Sequence, residues 1–242
     1  MWKSIEYTLY FLTVQVVAGF VVGHFFAGNT TLMLSTADVL TLILFLVIKA
    51  CPLKSEYDLS WRDLGLFCLL ACTTIIPSIW MEEFGPEVSE QLIETMKRVL
   101  ASPVGFVVVA LLGPLAEEIV FRGSVERVLL KKIKPWYAIC ISAFLFGLVH
   151  FELVQGFHAF LMGLLLGWLY YKTNSIIPGV IVHVANNAVA CVLMGFFPNE
   201  DTKLIDIMGG DFVVYATLIS SLILLYVVII LLRKTLTSKN LH

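Results

Sequence analysis

Three short segments place ionisable or amide side chains inside otherwise apolar stretches of the sequence. The segment GPLAEEIVFRG, residues 113–123, follows the apolar run VGFVVVALL and contains two adjacent carboxylates and an arginine. In a helix, Glu118 and Arg122 lie four residues apart on one face, where an ion pair can form. Glu117 is turned about 100° away from Glu118 by the helical period. The two glutamates are therefore expected to have different roles.

Two further segments supply histidine and asparagine at the spacing of one helical turn. FGLVH places Phe146 four residues before His150, and HVANN places His183 four residues before Asn187. A carboxylate can take a proton from water, and a neutral imidazole can share that work. Imidazole and carboxamide groups can donate hydrogen bonds to the oxyanion of a tetrahedral intermediate. Together with Glu117, these side chains suit hydrolysis.

The polar groups are predicted to lie at a similar depth in a membrane. If a turn near Lys134 joins two antiparallel helices, His150 follows that turn by about 15 residues, and Glu117 precedes it by a similar number. His183 follows Lys172 by about 11 residues, which places it ~8–15 Å inside the membrane at the helical rise. We therefore expect one wet pocket just inside the cytoplasmic face.

The composition indicates a polytopic membrane protein. The 242 residues are 59% hydrophobic and 14% charged, with a mean hydropathy of +0.92, which is too apolar for an ordinary soluble domain. A helix that crosses a bilayer needs about 20 mostly apolar residues. Eight stretches meet this requirement, at about 5–27, 34–51, 63–80, 103–121, 137–153, 156–172, 176–197 and 212–232. We predict an all-α bundle of about eight transmembrane helices that forms a single membrane domain over residues 1–242, with a motif-bearing core at 103–197.

The charge distribution predicts an orientation and excludes one class of partner. Lysine and arginine cluster at alternate junctions, which places both termini in the cytoplasm. The net charge of −2 and the absence of a continuous basic face argue against nucleic acid. The segment 86–102 has one apolar and one acidic face, which is typical of a helix lying on the membrane surface. A connecting helix packed on the bundle is the alternative.

Each motif taken singly also has a structural interpretation. A lone intramembrane histidine usually forms a hydrogen bond between helices, and we interpret His24 and His158 in this way. The Glu118–Arg122 pair alone can be an anchor at the inner surface, and the GLLLG segment at 163–167 is expected only to let two helices approach closely. The three motifs together, in order and at one depth, favour a functional site.

At these residues the chain resembles the CPBP family, which comprises CAAX prenyl proteases and bacteriocin-processing enzymes and is also called the Abi family of intramembrane proteases. The family pattern is EExxxR, then FxxxH, then HxxxN or HxxxD, on successive membrane helices. The sequence contains this pattern in order, as Glu117, Glu118 and Arg122, then Phe146 and His150, then His183 and Asn187.

The resemblance implies a role for each motif residue. Glu117 and His150 would activate the attacking water, while His183 and Asn187 would stabilise the oxyanion. The supporting residues would be Glu118, Arg122 and Phe146.

The resemblance does not settle whether a metal ion takes part. Family members are described both as metalloproteases and as glutamate-type enzymes without a catalytic metal. One glutamate with two histidines can bind zinc and leave an open position. The spacing differs from HExxH, however, so a site without a cofactor is favoured and a divalent metal such as zinc stays an alternative.

The predicted function is that of an intramembrane endopeptidase in a lipid bilayer, and the resemblance together with the small size of the chain implies the inner membrane of a bacterial cell. Its substrate would be a peptide or membrane protein, including one that carries a prenyl group or a leader. One alternative is a non-catalytic membrane scaffold that regulates a sensor kinase or an envelope protein. Another is a proton-coupled transporter that uses the buried acid and histidines as a relay.

Overall fold

The structure is a computed structural model that describes residues 2–26, 28–52, 57–84, 88–196 and 209–239, and these residues form nine helices and no strand. In chain order the helices are α1 Trp2–Phe25, α2 Thr30–Val47, α3 Trp61–Phe84, α4 Glu90–Leu100, α5 Pro103–Leu130, α6 Pro135–Leu148, α7 Leu153–Thr173, α8 Ile177–Phe196 and α9 Asp211–Lys239. The predicted all-α class is confirmed. The predicted ends of the first and seventh spans, residues 27 and 197, lie outside the described residues.

Seven of the described helices, all except α4 and α6, are long and apolar enough to cross a membrane. The chain is a multi-pass membrane protein. The fifth predicted span, 137–153, differs from the observed helix, because α6 has only 14 residues and ends at Leu148. At ~1.5 Å per residue this helix is about 21 Å long, which is shorter than a hydrocarbon core of about 30 Å.

The early end of α6 moves His150 out of the helix. Phe151 has a positive φ of 56°, and this left-handed residue turns the chain towards α7. Val149 and Phe151 are as apolar as the helix before them, so hydropathy continues through the turn and conceals it. His150 therefore lies in the turn between α6 and α7.

Two buried hydrophobic clusters hold the bundle around α5. The first includes the fully buried rings of Phe45, Phe121 and Phe146, which join α2 and α6 to α5. The second includes Phe67 and Leu232 and joins α3 to α7, α8 and α9. Because these buried side chains are closely packed, they determine which face each helix turns towards its neighbours.

Helix α5 is interrupted by two π-helical turns. These turns, Val108–Leu112 and Phe121–Glu126, lie on either side of the regular segment Gly113–Val120, which carries the two glutamates. A π turn follows an i→i+5 hydrogen-bond pattern and is frequent at functional sites. The two interruptions therefore delimit the segment on which the first motif begins.

The first π turn leaves one carbonyl group without its main-chain partner. The N–H of Gly113 bonds to the carbonyl of Val108, five residues earlier. In the same register the carbonyl of Val109 would pair with the N–H of residue 114, but Pro114 has no N–H. The Val109 carbonyl is therefore available to another helix.

Helix α4 contacts the bundle through its apolar face. Val99 is fully buried, and its carbonyl lies so close to Gly105 of α5 that a Cβ at that glycine would collide with it. The interpretation of α4 as a connecting helix packed on the bundle is consistent with this contact, and its position at the membrane surface stays a prediction.

Glycines bring α6 and α7 close together at the end nearest His150. A Cβ added at Gly147 would lie 2.5 Å from the carbonyl oxygen of Gly156, and one added at Gly156 would lie 2.8 Å from the carbonyl oxygen of Gly147. Further along α7, a Cβ at Gly163 would lie 2.9 Å from the Cβ of Ala143. The α6–α7 hairpin that carries His150 therefore depends on Gly147 and Gly156, the glycines at the point where the two helices come closest.

We predict that Gly147→Ala lowers the free energy of unfolding by about 1–3 kcal/mol, because the added methyl group overpacks the α6–α7 contact. The measurement is thermal or denaturant unfolding of the purified protein in detergent. Gly65→Ala is the matched control, since a Cβ at that position meets nothing within 4 Å and alanine favours the helix. Equal stability of the two variants would contradict the close approach.

Candidate active site

The first motif forms a buried ion pair inside α5. As the spacing predicts, Oε1 of Glu118 lies 2.8 Å from Nη1 of Arg122. The Arg122 guanidinium also donates from Nη2 to the carbonyl of Gly163 at 3.3 Å and lies 4.5 Å from the centre of the Phe146 ring. Cation–π contact and hydrogen bonding to charged groups both strengthen when water is excluded. Arg122 thus links α5 to α6 and α7 at one point.

Glu118 also orients His183 of α8. The same Oε1 lies 3.2 Å from Nδ1 of His183. A carboxylate only accepts hydrogen bonds, so His183 donates from Nδ1 to Glu118. This contact fixes the ring so that Nε2 faces the other glutamate, and Oε2 of Glu117 lies 3.6 Å from it. The imidazole is held between the two carboxylates.

A glycine of α8 makes room for the Glu118 carboxylate. A Cβ at Gly179 would lie 2.5 Å from Oε2 of Glu118. Among the described residues, this oxygen is buried and has no hydrogen-bond partner. Any side chain at position 179 would therefore push the carboxylate, and with it the contacts to His183 and Arg122.

The side chains of the two glutamates differ in their exposure. The side chain of Glu117 is 22% exposed, whereas that of Glu118 is 0% exposed. A group that takes a proton from water must be within reach of water. Of the two adjacent carboxylates, only Glu117 meets this requirement.

His150 joins the site through Phe146. Its Nδ1 donates to the carbonyl of Phe146 at 2.8 Å, which leaves Nε2 of the neutral ring as an acceptor. The Phe146 ring centre lies 5.0 Å from that of His150 and 5.8 Å from that of His183. Among the described residues, no hydrogen bond or ion pair joins His150 to Glu117. The two groups predicted to activate water therefore face the site separately.

Asn187 is held by the carbonyl that the π turn leaves available. Its Nδ2 donates to the Val109 carbonyl at 3.2 Å. A carboxamide has two N–H groups, so one remains for another acceptor. The adjacent Asn186 points towards α3, where its Oδ1 accepts a hydrogen bond from Thr74 at 3.1 Å. Pro114, which precedes the first motif, thus helps to position Asn187, the last residue of the third motif.

Two buried acids near the site were missed in the sequence. Asp38 of α2 is 8% exposed, and its Oδ2 lies 3.7 Å from the place of a Cβ on Gly113. Glu126 is fully buried one turn after Arg122, and a Cβ on Gly167 would lie 2.6 Å from its Oε2. A single acid within an apolar span is a signal for function that the sequence does contain. The second glycine of GLLLG makes room for a carboxylate, a role beyond the expected helix packing.

The side chains in the described part of the chain do not form the zinc site that the sequence left as an alternative. No group of three or more histidine, cysteine, aspartate or glutamate side chains there is placed to hold a metal ion. His183 turns both ring nitrogens to carboxylates, and Nδ1 of His150 is bonded to a carbonyl. The proposed chemistry therefore uses no step through a metal, and the absence of a cofactor stays a prediction.

Comparison with known proteins finds matches over the segment that carries the three motifs. Residues 99–189 match the family model of the type II CAAX prenyl endopeptidases, Rce1-like, and this segment contains all three motifs. A proposed membrane peptidase of Bacillus subtilis (strain 168), YdiL, is 28% identical over 158 residues, which are 63% of this chain and 65% of that relative. The chain thus spans just under two thirds of the length of the relative.

These matches define a membrane-protease class for the segment that carries the site. They support the resemblance to the CPBP family that the sequence shows.

We predict that Arg122→Met lowers the free energy of unfolding by about 3–5 kcal/mol, because it leaves Glu118 as an uncompensated buried charge. Adding Glu118→Gln to this variant should restore about 1 kcal/mol or more, since no charge then remains unpaired. Unfolding in detergent measures both values. Arg98→Met, at an exposed position of α4, is the control and should change stability by less than about 0.5 kcal/mol. Additive effects of the two site substitutions would contradict the coupling.

Proposed function

We propose that the chain is an intramembrane endopeptidase that hydrolyses a peptide bond with water activated by Glu117 and His150. The observation that carries this proposal is His183 held between two carboxylates of different exposure, one sealed and one within reach of water. A purely structural network has no need for the accessible carboxylate. This arrangement therefore favours an enzyme over the scaffold alternative.

The proposed reaction begins with water bound beside Glu117. The carboxylate takes one proton while the water oxygen attacks the carbonyl carbon of the substrate, and the carbonyl oxygen becomes an oxyanion. Nε2 of the neutral His150 ring is an acceptor and can share the proton. When the tetrahedral intermediate collapses, the C–N bond breaks and the leaving amine takes the proton back from Glu117.

Asn187 and His183 would stabilise the oxyanion. Asn187 has one N–H beyond the one that it donates to Val109. His183 presents Nε2 on the side of Glu117 and donates from there when both ring nitrogens carry hydrogen. Donors that are already fixed by other contacts stabilise developing charge without reorganisation in the transition state. Glu118 and Arg122 serve the reaction by keeping His183 in place.

The proposed substrate is a peptide or a membrane protein, including one that bears a prenyl group or a leader. The family description names prenyl endopeptidases, which supports this substrate class for the present chain. We place the enzyme in the inner membrane. The positive charge at alternate junctions favours both termini in the cytoplasm, an orientation in which the short helix α6 counts as an eighth crossing. Cleavage would then occur near the cytoplasmic leaflet.

We predict that Glu117→Gln, His150→Ala and His183→Ala each abolish cleavage while the fold is retained. The measurement compares the membrane peptides of cells that contain the wild type with those of cells that contain Glu117→Gln, and wild-type-specific fragments identify the substrate. Circular dichroism and unfolding of each purified variant check the fold. Fragments that form equally with Glu117→Gln would refute the proposal.

Gly179→Ala should lower kcat by about 100-fold, because displacement of Glu118 by about 1 Å misplaces His183. The KM should change little, since Gly179 is not placed to contact substrate. The assay is cleavage of a substrate found by the peptide comparison, with Gly65→Ala as control. An unchanged kcat would show that the position of Glu118 does not matter.

A further inference from the structure

Helix α2 carries an acid that the proposed reaction does not use. Asp38 lies near the middle of this apolar helix, on the buried face that also holds Thr41 and Phe45. Its side chain is 8% exposed, and no cation among the described residues forms an ion pair with it. Ionisable groups inside membrane helices are costly and usually serve a function. The place of this carboxyl group in the bundle therefore needs an explanation.

The Asp38 carboxyl faces the segment of α5 that carries Glu117. A Cβ on Gly113 would lie 3.7 Å from Oδ2 of Asp38. Gly113 and Glu117 are four residues apart in the regular segment Gly113–Val120, so they are neighbours on one face. Helical side chains point back towards the N-terminus, so the Glu117 side chain covers the turn that contains Gly113. The two carboxyl groups therefore approach one another over a residue without a side chain, and their electrostatic interaction agrees with this geometry.

The oxygens of Asp38 differ from those of the sealed acids. Oε2 of Glu118 and both oxygens of Glu126 are enclosed and have no hydrogen-bond partner among the described residues, whereas neither oxygen of Asp38 is in that condition. On the side of α1, Gln15 is a hydrogen-bond partner of the Asp38 carboxyl. A carboxyl group accepts more than one hydrogen bond, so Asp38 has capacity left for a donor over Gly113.

The space over Gly113 also lies next to the proposed oxyanion donor. A carbonyl group in a helix points towards the C-terminal end, so the Val109 carbonyl points at the turn of Gly113 and Pro114. Nδ2 of Asn187 bonds to this carbonyl at 3.2 Å. Hydrolysis requires the nucleophile and the oxyanion donor to meet the same carbonyl group of the substrate. A water over Gly113 would be close to Asn187, as this requirement demands.

An attacking water needs two hydrogen-bond acceptors. Glu117 takes one of its hydrogens in the proposed reaction, and the other stays on the oxygen. Leaving that hydrogen unpaired in apolar surroundings would be costly. A carboxyl oxygen accepts a hydrogen bond whether or not the group is ionised, so Asp38 can hold the second hydrogen in either state. A lone pair of the water then remains for the carbonyl carbon, and Asp38 neither gains nor loses a proton.

We propose that Asp38 is a further catalytic residue, which holds the attacking water over Gly113 together with Glu117. This inference rests on the proposed endopeptidase function and adds α2 to the helices that form the site. Glu117 accepts the hydrogen that is transferred, and Asp38 accepts the hydrogen that remains on the oxygen.

The first test separates this hydrogen bond from a role in packing. Asp38→Leu removes the acceptor, so kcat for a substrate found by the peptide comparison should fall by about 10-fold or more, with KM changed by less than about 3-fold. Asp38→Asn keeps a carbonyl oxygen and should retain more of the wild-type kcat. The midpoint of thermal unfolding of Asp38→Leu should be unchanged or higher, because an apolar side chain replaces an acid without a cationic partner. A purely structural role would lower stability and activity together.

Thr41→Val is the matched control on α2. Thr41 lies on the same buried face, but its hydroxyl is enclosed and has no hydrogen-bond partner among the described residues. It cannot hold a water, so the variant should keep the wild-type kcat. A wild-type kcat in Asp38→Leu would overturn the inference, because another acceptor such as His150 would then hold the second hydrogen.

The second test detects the water without any cleavage, and it also decides if Asp38→Leu does not fold. Protein labelled with ¹³C at the aspartate and glutamate carboxyl carbons is studied in lipid bilayers by water-edited solid-state NMR. Difference spectra of Asp38→Asn, Glu117→Gln and Glu126→Gln assign the three signals. Asp38 and Glu117 should receive magnetisation from water faster than Glu126, whose oxygens are both enclosed.

The two tests distinguish failure of this inference from failure of the proposed function. Transfer to Asp38 that is no faster than transfer to Glu126 would overturn the inference, even if cleavage depended on Glu117. Cleavage by Glu117→Gln at the wild-type rate would instead refute the proposed function, and rapid transfer to Asp38 would still show the water between the two acids.

Discussion

The site depends on one buried carboxylate that serves two partners. Oε1 of Glu118 lies within 3.2 Å of both Arg122 and His183, and it joins α5 to α8 without access to solvent. A charge in such surroundings is tolerated only when its partners are fixed. Phe146 and the α7 main chain fix the arginine, and Gly179 gives the carboxylate its space. Packing among four helices is therefore coupled to the orientation of one imidazole.

The same constraint separates the roles of two adjacent glutamates. The side chain of Glu118 is fully buried, so it cannot exchange protons with water. Glu117, one residue earlier, is turned by the helical period towards the accessible side and faces Nε2 of His183. The π turns on either side of this segment set the direction in which its side chains point. The first of them also leaves the Val109 carbonyl available to Asn187. The backbone irregularity of α5 thus contributes as much to the site as its side chains do.

Features of the fold and site that depend on local spacing can be predicted from the sequence. Features that depend on contacts between residues far apart in the chain cannot. The Glu118–Arg122 pair follows from a separation of four residues, and the long apolar stretches predict seven of the crossing helices. The end of α6 could not be predicted, because the turn around His150 is as apolar as the helix. The contact between His183 and Glu118 joins residues far apart in sequence.

The remaining features of the site depend on tertiary contacts that no periodicity contains. Gly179 matters only because a carboxylate of another helix occupies the place of its Cβ. Asn187 finds its partner because Pro114 cannot supply an N–H to Val109.

The tautomer of His183 distinguishes this account from a loosely packed site. Solid-state NMR of the ¹⁵N-histidine-labelled protein in lipid bilayers, with His183 assigned from the difference spectrum of His183→Asn, reports which ring nitrogen carries hydrogen. Donation to Glu118 predicts a protonated Nδ1 that is coupled in space to the Glu118 carboxylate. A neutral ring protonated only at Nε2, with no such coupling, would contradict the shared carboxylate and the division of roles derived from it.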